Sequence, residues 1–218
     1  MAAAKALSRI IMRRVLPIKE RKRERAIISV LPEFAKQVAK SRRHQFESSA
    51  VLLNLGLFFL IAERDIQAVK IDALTHPDPW KRSLCARVIL LTIHELDLDK
   101  VAGNKLRNAL ADAGVSDEVK HRATQALRLV RNSQQKAQKQ FAFLRNATIA
   151  HRDPDALLQY RSIMEIDEMA VFRIAVEFYD GASMFIAVLP ELILHVGTMP
   201  GLFSQMRAQS KRRNGRVE

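Results

Sequence analysis

The chain has 218 residues, 48% of them hydrophobic, with seven Gly, seven Pro and one Cys, at position 85. That length and composition exclude a chain disordered throughout, a collagen-like repeat, a disulfide scaffold and a thiolate-rich zinc site. The formal net charge of +13, with a sequence pI near 10.4, favours a polyanionic partner, either nucleic acid or an acidic membrane surface.

The charge is unevenly placed. Residues 1–45 hold 13 Lys and Arg against 3 acids, residues 46–200 hold 18 against 19, and residues 201–218 hold 5 against 1. The chain therefore reads as a basic N-terminal arm, partly helical, over 1–45, a near-neutral body over 46–200 and a basic, flexible-looking tail over 201–218. Such ends attract phosphate without needing a fold. Within the arm, Arg13, Arg14, Arg21, Lys22, Arg23, Arg25, Arg42 and Arg43 are candidates for nucleic-acid contact. Residues 1–19 carry five bases and no acid, with Leu7, Ile10, Ile11 and Val15 near helical spacing. An import peptide or a surface-lying amphipathic helix is thus an alternative use of that stretch.

Strand signals are missing, and Ala, Leu, Arg, Gln and Glu dominate the long periodic segments. The expected fold is all-α, an antiparallel helical bundle of about four main helices plus short ones. In chain order, Pro32 can open a helix that runs to about Arg43. A second segment, Phe46 to Leu74, places Leu52, Leu55, Phe59, Ala62, Ile66 and Val69 on one face. Its apolar run Ala50–Ala62 is about half of the ~20 residues a membrane-spanning helix needs and reads as core. Asp78 and Pro79 form a cap and a first helical position for a helix to about Glu95. A shorter one follows over Asp99–Ala113, closed by Gly114. Ser116 caps a long helix from Asp117 to about Ala150, whose polar middle, Arg131–Gln140, is expected to project past the core or fray. Asp153, before Pro154, caps a short helix through Tyr160. A last helix starts near Glu165 and passes the Pro190 kink toward Val196.

Familiar catalytic signatures are absent: no Gly-rich phosphate loop, no Gly-x-Ser-x-Gly, no His-Glu-x-x-His and no Cys pair. No metal and no cofactor is called for. His94-Glu95 lacks a second His, and Cys85 sits in an apolar helical stretch as a small core residue. Trp80, Phe58, Phe59, Phe172 and Phe178 read as core, as do Met164, Met169 and Met184.

The segment that stands out is Phe143-Leu144-Arg145-Asn146-Ala147-Thr148-Ile149-Ala150-His151-Arg152-Asp153. It sets an Arg and a His, five residues apart, where a long helix meets a turn. Imidazole can shuttle protons near neutral pH, and guanidinium can hold a scissile phosphate, so the pair suits metal-free RNA cleavage through the ribose 2′-hydroxyl. On a straight helix His151 lies about 120° around from Arg145, so the helix must loosen before His151 or a second protomer must complete the site. A plainer role pairs Arg145 with Asp153 or Glu177 and leaves His151 at a helix end. A second Arg-to-His spacing, Arg87 to His94, falls inside an expected core helix.

The string Leu144–Asp153 (LRNATIAHRD) resembles the HEPN superfamily, the higher eukaryotes and prokaryotes nucleotide-binding domains, and especially its abortive-infection-associated bacterial branch. The resemblance is strongest over about residues 140–180 and, through helix order, loosely covers 46–196. It implies a dimerising antiparallel bundle with Arg145 and His151 in the active positions and Asn146 in support. It also implies metal-independent endoribonuclease activity in the bacterial cytoplasm, in antiphage or toxin–antitoxin defence, with an antitoxin or defence-system protein as a further partner. Other members only bind, so a noncatalytic module recognising RNA, a nucleotide or a protein is the alternative. The basic arm is not part of the family pattern.

Overall fold

The structure, a computed structural model, describes residues 2–112, 114–145 and 154–214. It is all-α: 90% helical, with nine helices and no strand among the described residues. The helices are α1 Ala2–Arg43, α2 Glu47–Thr75, α3 Pro79–His94, α4 Leu98–Val101, α5 Gly103–Asp112, α6 Asp117–Arg145, α7 Ala156–Met164, α8 Glu168–Gly197 and α9 Met199–Asn214. The chain divides into two compact units. Unit 1 comprises residues 1–28, 61–96 and 130–179; unit 2 comprises 29–60, 97–129 and 180–218. The four longest helices, α1, α2, α6 and α8, contribute a segment to each.

The core of unit 1 is built from Ile66, Ile89, Ile93, Val130, Val171 and Phe178, all essentially inaccessible to solvent. In unit 2 Leu52, Leu55, Phe59, Phe185, Leu189 and Leu192 play that part, with Phe59 and Phe185 meeting edge to face at 5.3 Å between centroids. The run Ala50–Ala62 is therefore core, as its length implied. Gly56 permits the close approach: a Cβ there would lie 2.5 Å from Leu189 Cδ2 and 2.8 Å from Phe34 Cε1. Among the described helices α8 alone is long and apolar enough to cross a membrane, yet its Val171, Phe178, Phe185 and Leu192 are buried against the chain itself.

Several local expectations need correction. The arm is one 42-residue helix, and Pro32 lies inside it instead of opening it, as does Pro17. Each proline leaves the carbonyl four residues back without its helical donor. Two losses in a helix this long are outweighed where tertiary contacts hold the flanking turns. Asp99–Ala113 is split into α4 and α5, because Gly103 turns left-handed at φ 46 and Asp97 caps the first piece through Lys100 N–H at 2.9 Å. The polar middle of α6 neither projects nor frays. Ser133 and Ala137 are small enough to be fully buried, Ser133 Oγ donates back to the Val130 carbonyl, and Gln134 donates to the His94 carbonyl. The cap of α7 is Asp155, accepting from Leu157 and Leu158 N–H, whereas Asp153 lies outside the described residues. Residues 201–214 of the expected tail are helical too. Gly201 seats against the end of α8, where a Cβ would lie 2.2 Å from the His195 carbonyl oxygen, and buried Gln205 donates to the Val196 carbonyl.

Other signals hold as read. Asp78 Oδ1 accepts from Trp80 N–H at 2.9 Å with Pro79 in the first turn, and Gly114 closes its turn at φ 61. Between α1 and α2 the chain makes a Schellman turn. Phe46 N–H donates to the Ser41 carbonyl, Gln45 N–H donates to that of Arg42, and Gln45 takes the left-handed position at φ 57. A side chain there costs roughly 1–2 kcal/mol, part of which glycine's freedom in the unfolded chain offsets. Gln45→Gly should therefore raise stability by about 0.5–1 kcal/mol, read as a higher urea midpoint at unchanged m-value.

Candidate functional site

Two places in unit 1 carry polar chemistry, and the first is the region of the Arg–His motif. Arg145 is the last residue of α6; its side chain, and Asn146 and His151 entirely, lie outside the described residues. Glu177, the described carboxylate of the plainer pairing, accepts from Lys136 Nζ at 2.6 and 2.7 Å. Four residues beyond His151, Asp155 caps α7, which packs on α3.

That α3–α7 face departs from the expected core. Trp80 and Tyr160 are both exposed and stack on one another, with ring centroids 6.4 Å apart and planes 26° apart. Trp80 occupies the first turn of α3, where no preceding turn exists to cover it. Leu84 and Val88 extend its row along α3; Leu157 and Met164 flank Tyr160 on α7, and all four are exposed. Exposed Arg161 adjoins Tyr160. Met169 and Met184 are also exposed instead of filling the core. The start of α3 is anchored by Arg82, buried, which donates to Glu168 Oε1 at 2.7 Å and to the His76 and Pro77 carbonyls. A buried guanidinium satisfied by a carboxylate and two carbonyls is a rigid support. It fixes the turn on which Trp80 sits.

The second place is an ionic seam joining α1 to α2 and α8. Arg23 donates to Glu63, which is 4% exposed; Arg64 Nη1 donates to Glu24 at 2.9 Å, and Lys70 Nζ to Glu20 at 2.6 Å. From Glu20 on α1 to Arg23 and Glu24 the partners move back along α2 from Lys70 to Glu63 and Arg64, so the helices are antiparallel. The Tyr179 ring of α8 completes the seam, with the Arg23 guanidinium 5.2 Å and the Lys70 ammonium 5.1 Å from its centroid. Beside it lies a cleft of about 120 Å³ lined by Pro17, Glu20, Arg21, Glu24, Gln67 and Lys70. Gln67 is buried, and neither amide atom has a hydrogen-bond partner among the described residues; the same is true of the Tyr179 hydroxyl.

Burial, reinforced by the Glu63 carboxylate, pushes the Tyr179 phenol well above its ordinary value. The hydrogen bond that Arg23 donates to Glu63 likewise strengthens the hold of Arg23 on its proton. A neutral phenol and carboxylates already bound to cations leave neither a free base nor a nucleophile, so the seam is adapted to holding helices together and not to proton transfer. No group of three or more His, Cys, Asp or Glu able to hold a metal occurs among the described residues. Cys85 is buried, which pushes its thiol up, away from the reactive thiolate. His94 Nδ1 lies 3.3 Å from Glu95 Oε1, on the same helix as Arg87.

The arm's bases fall into two classes. Arg23 is committed to Glu63, Arg13 lies 3.9 Å from Asp72, and Arg42 donates to Asn54 Oδ1 at 2.8 Å. Arg14, Arg21, Lys22, Arg25 and Arg43 are exposed and make no ion pair with a described residue. The sequence does contain a signal for the seam: Glu20 and Glu24, the only acids before residue 33, stand one helical turn apart. The signal for the platform was Leu157 and Tyr160 at three-residue spacing on a helix too short to bury both faces. The chain matches no protein-family model, no curated protein and no solved structure.

Removing Arg23 strands a buried carboxylate, a loss that reaches about 3–5 kcal/mol for fully buried pairs. Because the Arg23 side chain is 45% exposed, Arg23→Met should cost less, about 2–3 kcal/mol. Adding Glu63→Gln should restore a large part, and equal losses in the single and double variants would refute the pairing. Tyr179 gives a pH signature. The folded chain keeps the phenolic proton where the unfolded chain has released it, so stability is untouched below the ordinary tyrosine range near ~10. Above that range it falls, by at most ~1.4 kcal/mol per pH unit. In Tyr179→Phe this alkaline loss should shrink, as seen in urea midpoints measured on either side of that range.

Proposed function

We propose that the chain is a metal-independent, HEPN-type endoribonuclease that lays single-stranded RNA across the α3–α7 face. The observation carrying this reading is the exposed stack of Trp80, on α3, with Tyr160, on the described helix that next follows the Arg145–His151 segment. Every base has a π-face, so an exposed aromatic pair accepts unpaired nucleotides with little regard to sequence. Duplex RNA presents no such faces.

In this reading His151 takes the proton from the ribose 2′-hydroxyl as that oxygen attacks the adjacent phosphorus, and returns one to the departing 5′-oxygen. Arg145 binds the non-bridging oxygens as charge accumulates on them, and Asn146 supports the phosphate by hydrogen bonding. The products carry a 2′,3′-cyclic phosphate or its opened form, and DNA, lacking the hydroxyl, is inert. Homodimerisation, a cytoplasmic location and a defence-system or antitoxin partner belong to the same proposal through the resemblance of LRNATIAHRD. The noncatalytic alternative uses the same platform to hold RNA without cleaving it.

Purified protein in EDTA should cleave a single-stranded oligoribonucleotide and not its DNA counterpart. His151→Ala should abolish cleavage while leaving helical content and thermal midpoint unchanged. Tyr160→Ala should weaken binding by about 5- to 100-fold, the range of one lost stacking contact. RNA binding without cleavage by the wild type would select the noncatalytic alternative. Cleavage undiminished in His151→Ala would refute the catalytic assignment.

A further inference from the structure

The N-terminal half of α1 is amphipathic in the reverse sense. Its inward face is largely polar: Arg9 and Arg13 approach Glu168 and Asp72, and Glu20, Arg23 and Glu24 form the seam, with Leu16 half-buried and Ile27 buried among the described side chains. Five aliphatic residues point outward. Leu7, Ile10, Ile11, Val15 and Ile18 are exposed, Leu7 by 60% and Ile18 by 65%. At about 100° per residue these five fall within a single arc of about 140°. Arg14, Arg21, Lys22 and Arg25 occupy that same arc and are exposed. Both acids of this half are turned inward and paired. Over roughly 27 Å of helix the outer face is thus aliphatic or basic and contains no acid.

From this surface we infer that α1 docks in the plane of an anionic lipid bilayer, independently of any RNA cleavage. Aliphatic side chains inserting at the acyl boundary with basic ones at headgroup level match this arrangement. A second copy of the chain is the poorer occupant, because pairing two such faces brings eight cations together with no compensating acid. RNA would use the cations and leave the five aliphatics unexplained. The seam explains how the face stays outward: the inward side of α1 is already bound by charge pairs that the core cannot exchange for aliphatics.

The test is flotation of the full-length protein with phosphatidylcholine vesicles with and without phosphatidylglycerol. The protein should float only with the anionic vesicles, and added salt should release it. Replacing Arg14, Arg21, Lys22 and Arg25 by Gln should weaken partitioning by on the order of 100- to 1,000-fold. Ile11→Asp with Ile18→Asp should abolish it while helical content and thermal midpoint stay at wild-type values, since both side chains are exposed. Failure of the wild type to float, or undiminished flotation of the Asp variant, overturns the proposal. So does a concentration-dependent dimer in sedimentation without lipid that the Asp variant loses, which would assign the face to a second copy. Oligoribonucleotide binding that falls equally in the Gln and Asp variants would assign it to RNA and overturn the proposal as well.

Discussion

The hydrogen-bonded pair of Arg23 and Glu63 is the interaction on which the placement of α1 depends. A carboxylate almost wholly removed from water requires a cation, and Arg23 of the long helix at the N-terminus supplies it. The Tyr179 ring between Arg23 and Lys70 ties that cation, and a second, to α8. Aliphatic burial contributes little here, since among the described side chains Ile27 is the one buried apolar group in the α1 segment of unit 1. Direction and register in this part of the molecule are therefore electrostatic properties, whereas in unit 2 the contacts of Phe59, Phe185 and Leu189 set them by shape.

This division explains what could be read from the sequence. Where burial follows a helical apolar period, as in Ala50–Ala62 and along α8, the residues announce themselves. Caps were also legible when the side chain and the following proline act within a few residues, as at Asp78. Long-range ionic complementarity is different. Lys, Arg and Glu at helical spacing look the same whether they face water or a partner, so the arm's charge read as an excess waiting for a polyanion. Part of it is in fact consumed by Glu63, Asp72 and Glu168, which the body had contributed to its own apparent neutrality.

The polar middle of α6 misled for a related reason. Burial there falls on Ser133 and Ala137, side chains too small to register as an apolar stripe, yet their smallness is what lets a neighbouring helix come close. The converse holds at Trp80. A large aromatic next to a proline-opened helix reads as core by composition, but its position in the first turn leaves one face of the ring without cover. The candidate catalytic residues were legible only as a string: Arg145 is the last described residue of the helix that the sequence carries to about Ala150, and Asn146 and His151 lie outside the described residues.

Trp80 is the chain's one tryptophan, and it stands in the open against Tyr160. The indole emission of the protein is therefore a local signal from the α3–α7 face. A molecule that covers the indole, or slides between the two rings, alters colour and intensity without any label being attached. An event that leaves the surroundings of Trp80 untouched leaves that emission unchanged, so a change in its colour marks the α3–α7 face as the place where something has happened.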